Sequence, residues 1–338
     1  MADAATLTRK DFQSDQDVRW CPGCGDYAIL TAVQKLFPGL GLPKEKLVVV
    51  SGIGCSSRFP YYMDTYGFHT IHGRAPAIAT GLKVTRPDLE VWVVTGDGDA
   101  LSIGGNHLIH TLRRNVGVKI LLFNNRIYGL TKGQYSPTSE VGKRTSSTPV
   151  GSIDPPFDPL SLALGAGASF VARSVDVFMP HLTATLERAA RHQGTAFVEI
   201  YQNCNIFNDK AFAYMTDKAN RDAQTVQLRH GEPVVFGGAA QRFGLRLEGF
   251  SLRAVPLDGE PGDDILVWDE TDPALAALMA RCGPPELPTP IGVLHAVERP
   301  VFESSVVAQI QHEIEHKGEG SLDDLIHGGD TWTVAESR

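Results

Sequence analysis

The sequence predicts an α/β protein built on a mainly parallel sheet with helices on both faces. Strand-like apolar runs alternate with helix-period segments between residues 27 and 201. Parallel neighbours need long crossovers, so this alternation places helices over the sheet. Three segments rich in glycine or asparagine, 51–57, 96–99 and 124–134, each begin where a predicted strand ends. In such sheets ligands bind beyond the carboxyl ends of the strands, so these segments are where function is expected.

The elements follow in order. Residues 1–20 read as an extended polar arm. Tyr27, Ile29, Leu30, Val33, Leu36 and Phe37 recur at helical spacing until Pro38-Gly39 stops them. The β-branched run 47–50 is a strand, 76–84 an alanine-rich helix, and 91–95 a second buried strand closed by glycine. A helix at 104–114, a strand at 118–123 and a loop over 124–156 come next. A further helix, a strand at 170–172, a helix at 177–192 and a strand at 196–201 continue the alternation. From about residue 225 the texture changes to short strands near 234–236, 245–247 and 252–257, with a helix at 273–281. The expected organisation is an arm over 1–20, a binding domain over 21–224, an appended region over 225–316 and a mobile tail over 317–338.

Composition bounds the function. With 338 residues and 42% hydrophobic content the chain can bury a sizeable core. A formal net charge of -8 argues against nucleic-acid binding. The charged, polar start has no export signal, and no run of about 18 apolar residues is present, so the expectation is a cytoplasmic, non-membrane protein. Five cysteines in such a chain raise metal ligation above disulfide formation.

The segment Gly96-Asp97-Gly98-Asp99 is not a dinucleotide fingerprint, because Gly-x-Gly-x-x-Gly would need glycine where Leu101 stands. One helix and one strand later comes Asn124-Asn125-Arg126-Ile127-Tyr128-Gly129. A carboxylate and an amide oxygen thus leave neighbouring strand ends together. Magnesium takes about six hard oxygen ligands and commonly combines a carboxylate with phosphate oxygens. Asp97, the Asn125 side chain and the Ile127 carbonyl could supply one side of that octahedron. Glycines beside Asp97 and a following helix N-terminus would suit a diphosphate.

A second constellation is Trp20-Cys21-Pro22-Gly23-Cys24-Gly25, with Cys55 in Gly52-Ile53-Gly54-Cys55-Ser56-Ser57 and Cys204 in Asn203-Cys204-Asn205. Four-cysteine zinc sites usually combine two close pairs, whereas iron-sulfur clusters accept more scattered ligands. Ordinary buried thiols remain the alternative.

The Gly-Asp-Gly and Asn-Asn arrangement resembles the binding motif of thiamine diphosphate enzymes. Together with Cys-Pro-Gly-Cys-Gly, Gly-Ile-Gly-Cys-Ser and Tyr128-Gly129-Leu130-Thr131-Lys132-Gly133-Gln134 it resembles the β subunits of 2-oxoacid:ferredoxin oxidoreductases over about residues 15–300. Lys132 departs from that family's usual glycine. The resemblance implies a thiamine diphosphate-binding fold, Mg2+ held by Asp97, Asn125 and Ile127, and one [4Fe-4S] cluster held by Cys21, Cys24, Cys55 and Cys204. It implies cofactor contacts at Gly54, Ser56, His72, Gly96, Gly98, Asp99, Gly129 and Thr131, with His72 of His72-Gly73-Arg74 also near the reaction centre. Cys282 matches nothing in that set.

The resemblance further implies coenzyme A-dependent oxidative decarboxylation of a 2-oxoacid, with electrons passing singly to ferredoxin. The subunit would work with an α subunit in an α2β2 assembly and be inactive alone. The stretches 135–139 and 145–152 look most like 2-oxoglutarate members, ahead of pyruvate or branched-chain 2-oxoacids. A non-redox thiamine decarboxylase with structural zinc is the competing class.

Lys83 and Arg74 are candidate substrate or phosphate contacts, while Lys46, Lys119 and Arg113 are expected to be solvated. His312-Glu313-Ile314-Glu315-His316 matches a zinc-protease pattern. At about 100° per residue both histidines point away from the apolar stripe Val307, Ile310 and Ile314, so a charged helix face is the expected reading.

Overall fold

In a computed structural model, residues 7–335 are described. The centre is an eight-stranded sheet of β1 (Leu47–Ser51), β2 (Tyr66–His69), β3 (Glu90–Gly96), β4 (Val118–Asn124), β5 (Phe170–Val175), β6 (Ala196–Tyr201), β7 (Thr225–Leu228) and β11 (Thr289–Ala296). Their order is β2-β1-β3-β4-β6-β5-β11-β7, and every neighbouring pair is parallel except β5 with β11. A separate antiparallel sheet joins β8 (Val235–Gly238), β9 (Gln241–Glu248) and β10 (Ser251–Leu257). The expected α/β, mainly parallel architecture is present.

The central strands are buried on both faces, so their side chains are apolar in both registers. Val49, Trp92, Leu121 and Val198 pack on one face beneath α1 (Asp26–Leu36) and α6 (Met179–Arg191). Val48, Val93, Ile120 and Phe197 pack on the other beneath α2 (Ala75–Thr85), α4 (Gly105–Arg114) and α5 (Pro159–Gly165). A helical turn, α3 (Asp97–Leu101), leaves β3 directly. The remaining helices are the single turns α7 (Ala213–Thr216) and α8 (Arg221–Gln224), then α9 (Pro273–Ala280), α10 (Phe302–Lys317) and α11 (Leu322–His327).

Several details differ from expectation. The arm is anchored: Phe12 and Trp20 are buried in the core, and Phe12 stacks edge-on against Phe37. The sheet runs past residue 225, because β7 and β11 complete its far edge. Both were too short or too irregular to read; β11 carries a register shift between Val293 and His295. Lys119 is buried, its ammonium donating to the His192 carbonyl. Lys46 pairs with Asp88. Lys83 is also buried and donates to the carbonyls of Pro87 and Leu89, 2.9 and 2.5 Å away, so it is a structural tie. The stripe on α10 is largely open, with Val307 and Ile310 42% and 51% exposed and Ile314 half-buried. The helix is held at its start, where the buried Glu303 accepts from Gly117 N at 3.1 Å. His312 and His316 stack on each other at the surface, and among the described residues no group of three His, Cys, Asp or Glu side chains could hold a single ion. Within the expected tail, α11 is helical; residues 1–6 and 336–338 lie outside the described residues.

Candidate functional site

The parallel order β1-β3-β4-β6 brings four strand ends to one edge, and each contributes a segment. Ile53, Gly54, Cys55 and Ser56 follow β1, Asp97 to Asp99 follow β3, and Asn125 and Ile127 to Thr131 follow β4; together with His72 and Asp26 they line one cleft. The segment after β6 carries Gln202, Asn203 and Cys204.

Asp97 is 2% exposed, and burial pushes its carboxyl up to about 6. Its Oδ2 accepts from the hydroxyls of Ser136 and Thr138, leaving Oδ1 unengaged by any side chain. Thr138 also lies 2.9 Å from Asn124 Oδ1, and Asn124 Nδ2 donates to Glu199 at 2.7 Å. The Asn125 amide is fixed at both ends: Oδ1 accepts from Ile127 N at 3.1 Å and Nδ2 donates to Gln202 at 2.9 Å. An amide oxygen has two lone pairs, so one remains for a cation. A buried carboxylate with a spare oxygen, beside an oriented amide, is a donor set that fits Mg2+.

The cradle around these groups fits a diphosphate. Ser56 Oγ is buried without a partner, 3.4 Å from where a Gly96 side chain would begin. Gly98 lies beneath the Tyr128 ring, where a Cβ would come within 2.2 Å, and Tyr128 donates from its hydroxyl to Gly98 O at 2.9 Å. Thr131 lines the cleft, although its hydroxyl is engaged with Gln134. Asp99 is committed inside the protein. It accepts from Ile53 N at 3.1 Å, Gly73 N at 2.8 Å and Thr95 at 2.7 Å, clamping the β1 and β2 loops together. His72 Nδ1 stands 2.7 Å from Asp99 Oδ1 but out of line for a directed hydrogen bond. Arg74 points elsewhere, toward Ile103 O.

The cysteines meet beside this cleft. A tight turn with Cys24 N donating to Cys21 O at 3.0 Å is tied to the β6 segment by Gly25 N donating to Asn203 O at 3.1 Å. Trp20 Nε1 donates to Cys55 O at 2.7 Å. A methyl at Gly129 would lie 3.5 Å from Cys204 Sγ and 3.7 Å from Cys55 Sγ, so the loop carrying the Mg2+ candidates abuts two sulfurs. Burial, the Asp26 charge and the neighbouring sulfurs raise the Cys24 thiol and push Cys55 up to about 12. Thiolates here therefore require a compensating cation. Cys282 stays apart in the fold, buried below α9 and donating weakly to Leu278 O.

Four important residues escaped the sequence reading. Gln202 joins the two constellations, since it accepts from Asn125 and donates to Cys24 Sγ at 3.3 Å. Ser136 and Thr138 hold Asp97, though they sit about 40 residues downstream. Asp26 is 1% exposed with both carboxylate oxygens unpartnered, and burial pushes it up to about 7. Its position two residues after Cys24 was the only available signal.

Comparison with known proteins agrees with this geometry. Residues 52–200 match the family model described as the thiamine pyrophosphate enzyme C-terminal TPP binding domain. The 2-oxoglutarate oxidoreductase subunit KorB of Mycobacterium tuberculosis is 55% identical over 330 residues, 96% of this chain and 88% of the relative. Subunit beta of the 2-oxoacid:ferredoxin oxidoreductase 1 of Aeropyrum pernix is 47% identical over 190 residues, 56% of this chain and 60% of that one. A solved 2-oxoglutarate:ferredoxin oxidoreductase from Magnetococcus marinus, with 2-oxoglutarate, coenzyme A and succinyl-CoA bound, superposes with a TM-score of 0.77 at 33% identity, covering 97% of this chain and 98% of that one. Matched at 55% identity along 96% of its length by a 2-oxoglutarate oxidoreductase subunit, and carrying strand-end donors whose chemistry suits such a cofactor, the chain belongs to the β subunits of the thiamine diphosphate-dependent 2-oxoacid:ferredoxin oxidoreductases.

Proposed function

We propose that this β subunit takes part in coenzyme A-dependent oxidative decarboxylation of 2-oxoglutarate, giving succinyl-CoA and CO2, with electrons leaving through one [4Fe-4S] cluster to ferredoxin. The observation that carries the proposal is Gln202, whose amide spans from the Mg2+ candidate Asn125 to Cys24. That single bridge supports two adjoining sites, a diphosphate site and a sulfur-ligated one.

When bound, thiamine diphosphate supplies an electron sink for the bond broken as CO2 leaves. The chain's residues hold and orient. Asp97, Asn125 and the Ile127 carbonyl are the proposed Mg2+ ligands, Ser136 and Thr138 fix the Asp97 carboxylate, and Ser56 offers its free hydroxyl toward the phosphates. Gly54, Gly96, Gly98, Gly129 and Thr131 form the surrounding wall, and Asp99 holds His72 at the rim. Cys21, Cys24, Cys55 and Cys204 are the proposed cluster ligands. Four-cysteine zinc sites usually combine two close pairs, whereas these four cysteines come from three separate segments, a spread that supports an iron-sulfur cluster.

The enclosed part of the cleft holds about 100 Å³. Small-molecule sites usually hold roughly 300–1,000 Å³. This supports a cleft completed by an α subunit, in the proposed α2β2 assembly. The 2-oxoglutarate preference rests on the names of the relatives.

The test is anaerobic purification with the α subunit, analysis for iron and acid-labile sulfide, and a 2-oxoacid screen with ferredoxin or viologen as acceptor. Iron and sulfide with fastest reduction on 2-oxoglutarate are expected. Zinc without iron would overturn the redox reading, and a preference for pyruvate or branched-chain acids would overturn the substrate.

A further inference from the structure

A second cavity, of about 730 Å³, lies between α5, α9 and the end of β11. Because β11 runs antiparallel to β5, His295 near its end lies level with Phe170 and Val171, at the start of β5. The cavity is thus on the amino-terminal edge of the sheet. Cysteines and Asp97 occupy the opposite edge, a strand length of about 20 Å away.

Its lining is unusual for a chain of net charge -8. Arg113, Arg281, Arg299, His295 and Ser161 face it, and no carboxylate does. The Arg299 guanidinium is used structurally, donating to the carbonyls of Gly167 and Arg113. Arg113 and Arg281 are exposed and form no ion pair with any described carboxylate. Ser161 Oγ is buried without a partner.

His295 defines what the cavity can accept. It is 7% exposed, and its Nδ1 lies 3.1 Å from Glu270 O. A carbonyl only accepts, so Nδ1 carries the proton there and Nε2 of the neutral ring is left with a lone pair. Two guanidinium groups and a hydroxyl call for an anion, while Nε2 calls for a donor. A carboxylate offers acceptors alone. Hydrogen phosphate, or a phosphate monoester holding its second proton (pKa about 6), offers both acceptor oxygens and one O–H. The apolar wall of Leu164, Ala277 and Val297, and a volume far beyond that of one phosphate, leave room for an organic group.

We infer that this cavity binds a small phosphorylated organic molecule, its phosphate oxygens held by Arg113, Arg281 and Ser161 and its phosphate O–H donating to His295 Nε2. The site lies a sheet's width from the cofactor cleft and stands whether or not the substrate reading above is right.

Calorimetric titration of the assembled αβ complex at about pH 6, where a terminal phosphate keeps its proton, with inorganic phosphate, ADP and sulfate tests it. ADP should bind more tightly than phosphate, and sulfate, which has no proton at neutral pH, more weakly than either. Arg113→Gln and Arg281→Gln should each weaken ADP binding about tenfold, the loss expected for one charge-assisted contact, with thiamine diphosphate affinity and melting temperature unchanged. No binding of phosphate or ADP, sulfate matching phosphate, phosphate matching ADP, or binding indifferent to both substitutions would each overturn the site. Phenylglyoxal protection of both arginines in the complex, without ligand binding, would also overturn it, because a subunit would then fill the cavity.

Discussion

Asp97 sits where burial and ligation pull in opposite directions. Buried in this way its carboxyl is raised to about 6, from an ordinary value near 4. A cation needs the carboxylate, so Mg2+ affinity should be fully present above about pH 7 and should fall as pH drops through 6, by up to about tenfold per pH unit. The same shift works the other way on the free chain. Between about pH 6 and 4 Asp97 holds a proton in the folded state that it has released in the unfolded state, so this group adds stability on acidification across that window, while His181 and His192, which burial lowers to about 4, act in the opposite sense. Calorimetric Mg2+ titrations at pH 5, 6 and 8, and the difference between thermal melts of the unliganded protein and of Asp97→Asn at the same pH values, check both signs. A flat Mg2+ affinity would show that Asp97 is not the ligand. Gln202 and Asp26 belong at this scale too: one is an amide with four bonding directions set between two sites, the other an acid whose oxygens have no hydrogen-bond partner among the described residues.

At the scale of elements, the loop following β4 is the most demanding. It must present Asn125 and Ile127 to one side, pass Gly129 against two sulfurs, and then turn sharply. Arg126 and Lys132 both adopt left-handed backbone, at φ 56 and 74. The glycine usual in the family at Lys132 thus has a physical reason, since a side chain in that region costs roughly 1–2 kcal/mol. Lys132→Gly should raise stability by about 0.5–1 kcal/mol after the entropy of an added glycine is deducted, seen as a higher denaturant midpoint. An unchanged or lower midpoint would mean that the Lys132 side chain makes a compensating contact. Strands β3 and β4 were readable because burial on both faces makes them continuous apolar runs. Strands β7 and β11 were not, because β11 is broken by a shift in register and β7 spans four residues.

Across the whole molecule, contacts far apart in sequence tie the C-terminal helix to the sheet. Glu303 accepts from Gly117 N before β4 and lies 3.9 Å from the buried Lys83 ammonium on α2. Glu303→Ala leaves a buried N–H and a less compensated charge, so a loss of about 2–4 kcal/mol is expected in equilibrium unfolding. A loss under about 0.5 kcal/mol would mean that α10 is not anchored there. The α/β alternation, the three strand-end segments and the four cysteines are legible in the residues alone, because strand burial and ligand chemistry restrict residue type locally. The fold alone shows that Ser136 and Thr138 reach Asp97, that Gln202 reaches Asn125, that Lys83 is a structural tie and that Lys119 is buried where solvent was expected. The fold also shows that α10 packs on the core through Phe302 at its start while Val307 and Ile310 stay exposed. Ser, Thr, Gln and Lys suit solvent and buried networks alike, so their roles depend on which distant backbone and side-chain groups the strand order brings within hydrogen-bond reach.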